Sequence, residues 1–181
     1  TKEWNPKRDS LLPRGWEAAT LESKRACREA LAKRLELPLP DGPLLLVPSR
    51  FDSLPRGDFE ELLKLPLTLL GINAGASFDA LAARGDNKVF TLRAQSASEE
   101  RPLQHLALGA ANFALLTPSS GPLSNRFPLA YGCAIVGKSS GEFAEALVDY
   151  DPVSDTGCAF LYQEDHQLLG ALRRAIRAVA S

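Results

Sequence analysis

The chain has 181 residues, enough for one sizeable domain and too few for two full ones. Hydrophobic residues make up 45% and charged residues 24%, an ordinary globular balance, and the formal net charge of -1 gives no electrostatic case for nucleic acid or an anionic membrane. The longest apolar stretches, such as 65–72, are far too short to span a bilayer. No basic-then-apolar start suggests a signal peptide, and a cytoplasmic location is expected. The sequence opens at Thr1 and contains no Met, and it therefore reads as a fragment or a processed chain. Cys27, Cys133 and Cys158 are scattered and odd in number, so they read as thiols in a reducing compartment, with no metal-ligand spacing. His105 and His166 also lack ligand spacing. Both read as solvated or internally satisfied histidines within helices, and no metal or cofactor is expected.

In chain order, residues 1–20 are rich in Pro, Lys, Arg and Asp and read as an irregular lead-in, an interdomain linker. Residues 21–181 read as the domain itself. Its first helix, 21–37, places Leu21, Ala26, Ala30, Leu31 and Leu35 at helical spacing, with Thr20 as its cap and Lys33 and Arg34 at its negative end. Pro38 to Pro43 break the chain. Strands are then expected at 44–48, 67–72, 88–92, 113–117, 133–136 and 158–162. Helices are expected at 58–65, 77–84, 102–110, 124–131, 142–148 and 165–180. The strands are short apolar runs without alternation, the pattern of strands buried on both faces. Strand–helix alternation predicts an α/β, doubly wound, Rossmann-like parallel sheet in the order 3-2-1-4-5-6, with right-handed crossovers. Ligands in such folds sit at the carboxyl ends of the strands, where strand order reverses.

Four loops at those ends carry residues with possible chemistry. Ser49-Arg50-Phe51-Asp52-Ser53-Leu54-Pro55-Arg56-Gly57 puts two arginines before a helix, where a phosphate could be held or where both could simply be solvated. Gly71-Ile72-Asn73-Ala74-Gly75 permits either close approach to a ligand or a tight turn, and there is no Gly-x-Gly-x-x-Gly fingerprint for a dinucleotide. Pro118-Ser119-Ser120-Gly121-Pro122 has hydroxyls but no acid or base. Gly137-Lys138-Ser139-Ser140-Gly141 leads into a helix at Glu142 and could form an anion nest, without P-loop spacing. No Ser/His/Asp set and no pair of catalytic carboxylates stands out by spacing.

Several segments, in order, resemble the C-terminal half of bacterial glycogen and plant starch synthases. Trp4-Asn5-Pro6 with Asp9 resembles the family's Trp-Asn-Pro-x-x-Asp segment. Val47-Pro48-Ser49-Arg50 resembles its Val-Ser-Arg strand end. Gly109-Ala110, Asn112 and Leu115-Leu116-Thr117-Pro118-Ser119 resemble its Gly-Ala-Asp, apolar run and Pro-Ser segment. Tyr131-Gly132, Ser140-Gly141, Thr156-Gly157 with Phe160, and Ala171 to Ile176 resemble its Tyr-Gly, Thr-Gly-Gly, Thr-Gly-Phe and terminal-helix segments, and Lys24-Arg25 its stretch before the first strand. The resemblance implies the C-terminal half of a two-domain (GT-B type) glycosyltransferase. It implies an ADP-glucose or UDP-glucose donor, an α-1,4-glucan acceptor, retention of configuration, no metal, and an N-terminal partner domain outside this chain. By position Arg50 matches the diphosphate-binding Arg, and Arg56 falls one residue late for the family's Lys-Gly. Ser119, Ser120, Gly121, Ser140 and Gly141 fall on the donor-contacting loops.

The departures bear on activity. The family's Arg-Phe-Glu-Pro-Cys-Gly stretch is replaced by a direct run from Ser120 into Gly121-Pro122-Leu123, a short deletion that takes with it the Glu that contacts the donor sugar. Asn125 stands where the family often has Gln, Asn112 replaces the Asp of Gly-Ala-Asp, and Glu142 replaces the last Gly of Thr-Gly-Gly. No catalytic residue is assigned. The expected function is therefore a degenerate, catalytically inactive glucosyltransferase domain. An active glucosyltransferase half and a non-catalytic interaction module on a Rossmann scaffold are the alternatives. Any surviving pocket is expected between the Arg50 loop and the Ser139–Gly141 loop.

Overall fold

A computed structural model describes residues 4–13, 21–36, 38–48, 56–84, 87–116, 126–140 and 142–180. Six parallel strands form one sheet in the order β3-β2-β1-β4-β5-β6, the order the alternation predicts. They are β1 (Leu44–Pro48), β2 (Thr68–Ile72), β3 (Val89–Leu92), β4 (Phe113–Leu116), β5 (Ala134–Lys138) and β6 (Ala159–Tyr162). The helices are α1 (Leu21–Leu35), α2 (Arg56–Lys64), α3 (Ala76–Ala82), α4 (Ala97–Ala110), α5 (Arg126–Ala130), α6 (Glu142–Ala146) and α7 (Leu168–Ala180). Register follows the apolar runs: Leu45 pairs with Leu69 on one side and with Phe113 on the other.

Alternate strand residues feed two cores, which is why the strands show no polar face. Leu45, Val47, Leu69, Phe113, Val136 and Phe160 pack under α2, α3 and α7. Leu44, Leu46, Leu70, Ile72 and Ala114 pack under α1 and α4, with Cys27, Leu31, Leu103 and Leu108 supplied by those helices. The apolar stripe of α7 holds Leu168, Leu172 and Ala175 buried, while Arg173, Arg174 and Arg177 stay exposed.

Several expected boundaries move, and for three of them the local reason is plain. α4 begins five residues before Pro102, because the Ser96 hydroxyl caps the Glu99 N–H and the Glu99 carboxylate reaches back to the Gln95 N–H. α1 stops at Leu35, where Glu36 takes a left-handed φ of 56°. α6 ends at Ala146 because Asp149 bridges to Ala159 and draws the chain onto β6. Thr20, the expected cap of α1, lies outside the described residues. Among the described residues no helix is long and apolar enough to cross a membrane, and no three His, Cys, Asp or Glu side chains are grouped as metal ligands would be.

That bridge is fastened by charge. Arg174 of α7 grips both Asp149 oxygens, at 2.9 and 3.1 Å, and donates to the Leu161 carbonyl. Burial works to raise the Asp149 pKa, but the Arg174 hydrogen bonds and the Leu161 N–H outweigh it and hold the carboxyl below its ordinary value. A depressed carboxylate contributes stability above its unfolded pKa and loses that contribution as pH falls through the folded one. Arg174→Ala should therefore lower the melting temperature modestly at neutral pH, since the pair is almost half exposed. The gap from wild type should close as pH falls below the usual Asp range. A gap independent of pH in calorimetric scans would assign the effect to packing instead.

Candidate functional site

The sheet reverses order between β1 and β4, and folds of this kind take ligands above the carboxyl ends at such a point. Arg50, Ser119, Ser120, Gly121 and Gly141 all lie outside the described residues. Arg56 is the first residue of α2, so the helix that follows the arginine loop begins two residues earlier than expected. Ser140 is half-buried just past β5, its N–H donating to the Lys138 carbonyl at 2.9 Å. The Ser139 N–H donates to the Tyr162 carbonyl at 2.7 Å, and Lys138 Nζ lies 3.0 Å from Asp165. This end of β5 is tied to β6 and to the turn before α7. The one cation in the expected nest already has a carboxylate partner.

The Gly71–Gly75 loop resolves in favour of the turn. A Cβ at Gly71 would stand 2.4 Å from the Phe78 ring, so this glycine admits α3 against β2. Asn73 (φ 49°) and Gly75 (φ 97°) make the reversal, and the Asn73 side-chain Oδ1 accepts from the Ala94 N–H at 3.2 Å.

At the opposite, amino-terminal end of the strands lie two cavities. One of about 540 Å³ is lined by Lys24, Arg25 and Arg28 together with Glu29 and Asp41. Its cations serve the fold. Arg28 holds the Pro40 and Gly42 carbonyls at 2.6 and 2.7 Å, Arg25 pairs with Glu29, and Lys24 donates to the Ala111 and Tyr131 carbonyls at 2.5 and 3.1 Å. Burial lowers the Lys24 pKa and raises that of Cys27 to about 11. Cys133 is likewise pushed up by burial, and its thiol meets the Leu108 and Ala111 carbonyls at the end of α4. Cys27 and Cys133 are buried free thiols, and Cys158 is a half-buried one beside the second cavity, of about 280 Å³.

His105 is the residue sequence reasoning undervalued. It is fully buried on α4. Its Nδ1 lies 2.6 Å from Asp9 Oδ2 and 2.9 Å from the Tyr131 hydroxyl, and that hydroxyl also donates to Asp9. Trp4 stacks on the His105 ring at 3.9 Å and on Phe127 at 4.6 Å. The apolar spacing of α4 does not announce this, because the partners lie 96 and 26 residues away in the chain.

No family model matches the chain. The glycogen synthase of Anaeromyxobacter sp. is 30% identical over 190 residues, 98% of this chain and 39% of that protein. Those of Opitutus terrae and Aeromonas salmonicida are 29% and 28% identical over 97% of this chain. The chain is homologous to the bacterial glycogen synthases. It spans about two fifths of the length of these relatives, matching their C-terminal part. A solved structure, the catalytic domain of starch synthase IV from Arabidopsis thaliana bound to ADP and acarbose, superposes with a TM-score of 0.71 at 21% identity. The match covers 96% of this chain and 39% of that one. The fold is thus that of the C-terminal, Rossmann-like domain of a GT-B glycosyltransferase.

Much of what makes the chain resemble glycogen synthases is scaffold. Trp4, Asp9 and Tyr131 form the buried cluster just described. Asn112, the departure from Gly-Ala-Asp, sits before β4 at the amino end of the sheet. Its side-chain oxygen accepts from the Leu44 N–H at 2.9 Å and its own N–H donates to the Leu44 carbonyl. An Asp could accept the same bond, so this change does not bear on chemistry. Gly157 of Thr156-Gly157 has φ 112°, and a Cβ there would come within 2.5 Å of the Asp149 carbonyl. Gly157→Ala should cost about 2 kcal/mol or more by chemical denaturation. A neutral result would mean the 149–157 turn adapts freely.

Proposed function

We propose that this chain is the nucleotide-sugar-binding half of a glycogen synthase-like glucosyltransferase whose donor site has decayed, leaving a non-catalytic domain of the cytoplasm. One observation carries the reading. The family likeness runs in order through nearly the whole chain, yet breaks at Ser120-Gly121, where the family has the Glu that contacts the donor sugar. Glu142 in place of a glycine adds a carboxylate to the loop that the family packs against the diphosphate. The pairing of Lys138 with Asp165 supports the same reading, because no other cation of the Gly137–Gly141 loop is available to offset Glu142.

The donor would be ADP-glucose or UDP-glucose and the acceptor a glucan. Titration calorimetry with both donors and with ADP tests the reading, and the expected result is weak or no binding. Any residual nucleotide affinity should run through Arg50. A hydrogen bond to a charged group contributes about 1.5–3 kcal/mol, so Arg50→Ala should weaken that affinity about ten-fold or more. Tight donor binding by the wild-type chain would overturn the claim of decay, and binding indifferent to Arg50→Ala would remove the family's phosphate geometry from it.

A further inference from the structure

We propose that residues 4–12 form a strap that docks on α4 and α5 and releases as a unit, with the Asp9 carboxylate as its fastening. The backbone of the strap points to this. Its hydrogen bonds among the described residues close within it: Arg8 N–H to Asn5 O, Asp9 N–H to Pro6 O, and Leu12 N–H to Asp9 O. The side chains of Asn5 and Asp9 add local bonds to the Lys7 and Leu11 N–H groups. The strap therefore joins no strand ladder and carries its own local structure with it. Opening it breaks no hydrogen bond of the sheet.

Pro6 is buried, and three side chains make the defined contacts. Trp4 stacks on both His105 and Phe127, each at an interplanar angle of 19°. Leu12 is 8% exposed and reaches the Gly109 backbone, where a Cβ would lie 3.3 Å from its Cδ2. Asp9, with a side chain 2% exposed, receives the Tyr131 hydroxyl and His105 Nδ1. A carboxylate this deeply buried is held only while both donors stay in place. The docked state also carries an uncompensated cost, since His105 Nε2 is buried without a hydrogen-bond partner among the described residues. Release would hydrate that nitrogen and the carboxylate together. Docking and release are thus set against each other by the same cluster, the condition for a local opening below the global unfolding free energy.

The consequence reaches α5. Phe127 and Tyr131 bracket that short helix, and both touch the strap. A docked strap fixes α5 from outside, and a released one leaves it to its own contacts with β5.

Native-state hydrogen exchange on the full chain, read across a series of low denaturant concentrations, tests this. Amides of residues 7–12 should exchange at least about ten-fold faster than those of β1 and β4, with little denaturant dependence, the mark of local opening. Asp9→Asn should speed exchange in the strap by a further factor of about ten while the strand amides keep their rates. If strap and strands exchange together in the wild-type chain, with one denaturant slope, the strap is simply part of the global fold. The wild-type series decides this even if Asp9→Asn does not fold. Strap exchange unchanged in a folded Asp9→Asn variant would overturn the role given to Asp9.

Discussion

Assayed in its full-length protein, this chain is expected to support no detectable transfer of glucose from ADP-glucose or UDP-glucose to glycogen. Retaining transfer expels a nucleoside diphosphate, so the site must stabilise negative charge growing on the leaving group. It must also hold the sugar by its hydroxyls in a reactive pose. The Glu that would hold the sugar is missing, and no acidic residue between Thr117 and Ala134 replaces it. On the proposed reading, Glu142 would add a negative charge to the diphosphate-facing loop. One lost electrostatic contact in a well-formed cleft commonly costs about 10²–10³ in rate, and here the losses fall on sugar and diphosphate together. The full-length protein is the right sample, because the relatives devote the other three fifths of their length to sequence this chain does not match. Chain extension measured with radiolabelled donor, and abolished by Arg50→Ala, would show that the remaining contacts suffice.

The sheet was legible because its signal is local and repeated. Each of β1, β2 and β4 is a short, mostly aliphatic or aromatic run with turn residues on both sides, and a strand buried on both faces needs little else. Strand order followed from the alternation with helices and the handedness of crossovers. The family likeness located Arg50, Arg56, Ser119, Ser120, Gly121, Ser140 and Gly141 but could not set their geometry. Of these the structure describes Ser140 and the backbone of Arg56. What sequence reading could not reach was the tertiary meaning of the motifs. Trp4, Asp9, His105 and Tyr131 come from three separate parts of the chain, and no periodicity links them. The composition of residues 1–20 suggests a linker, and does not show that within it Leu12 joins the core beside α1 and α4. Composition counts residue types, but packing here depends on three particular side chains facing one groove.

Tyr131→Ala should be the most destabilising single change in that groove, at about 3–5 kcal/mol by chemical denaturation. The ring is fully buried in the core beneath α1 and α4 and against Asp9 of the strap, so its removal leaves a cavity. Its hydroxyl goes with it, and the Asp9 carboxylate loses one of the two donors that keep it inside. Burial and the adjoining carboxylate both push the Tyr131 pKa upward, so the phenol remains a donor across the whole working pH range. Tyr131→Phe separates the two effects. It keeps the ring and removes the hydroxyl, with its charge-assisted bond to Asp9 and its contact with His105 Nδ1, for an expected loss of about 1.5–3 kcal/mol. Because Tyr131 lies in a Tyr-Gly segment shared in outline with glycogen synthases, a sequence reader could assign it to the substrate. Its contacts instead make it a scaffold residue. Tyr131→Phe should therefore lower stability while leaving any nucleotide affinity of the folded protein unchanged. A variant as stable as wild type but weaker in nucleotide binding would reverse that assignment.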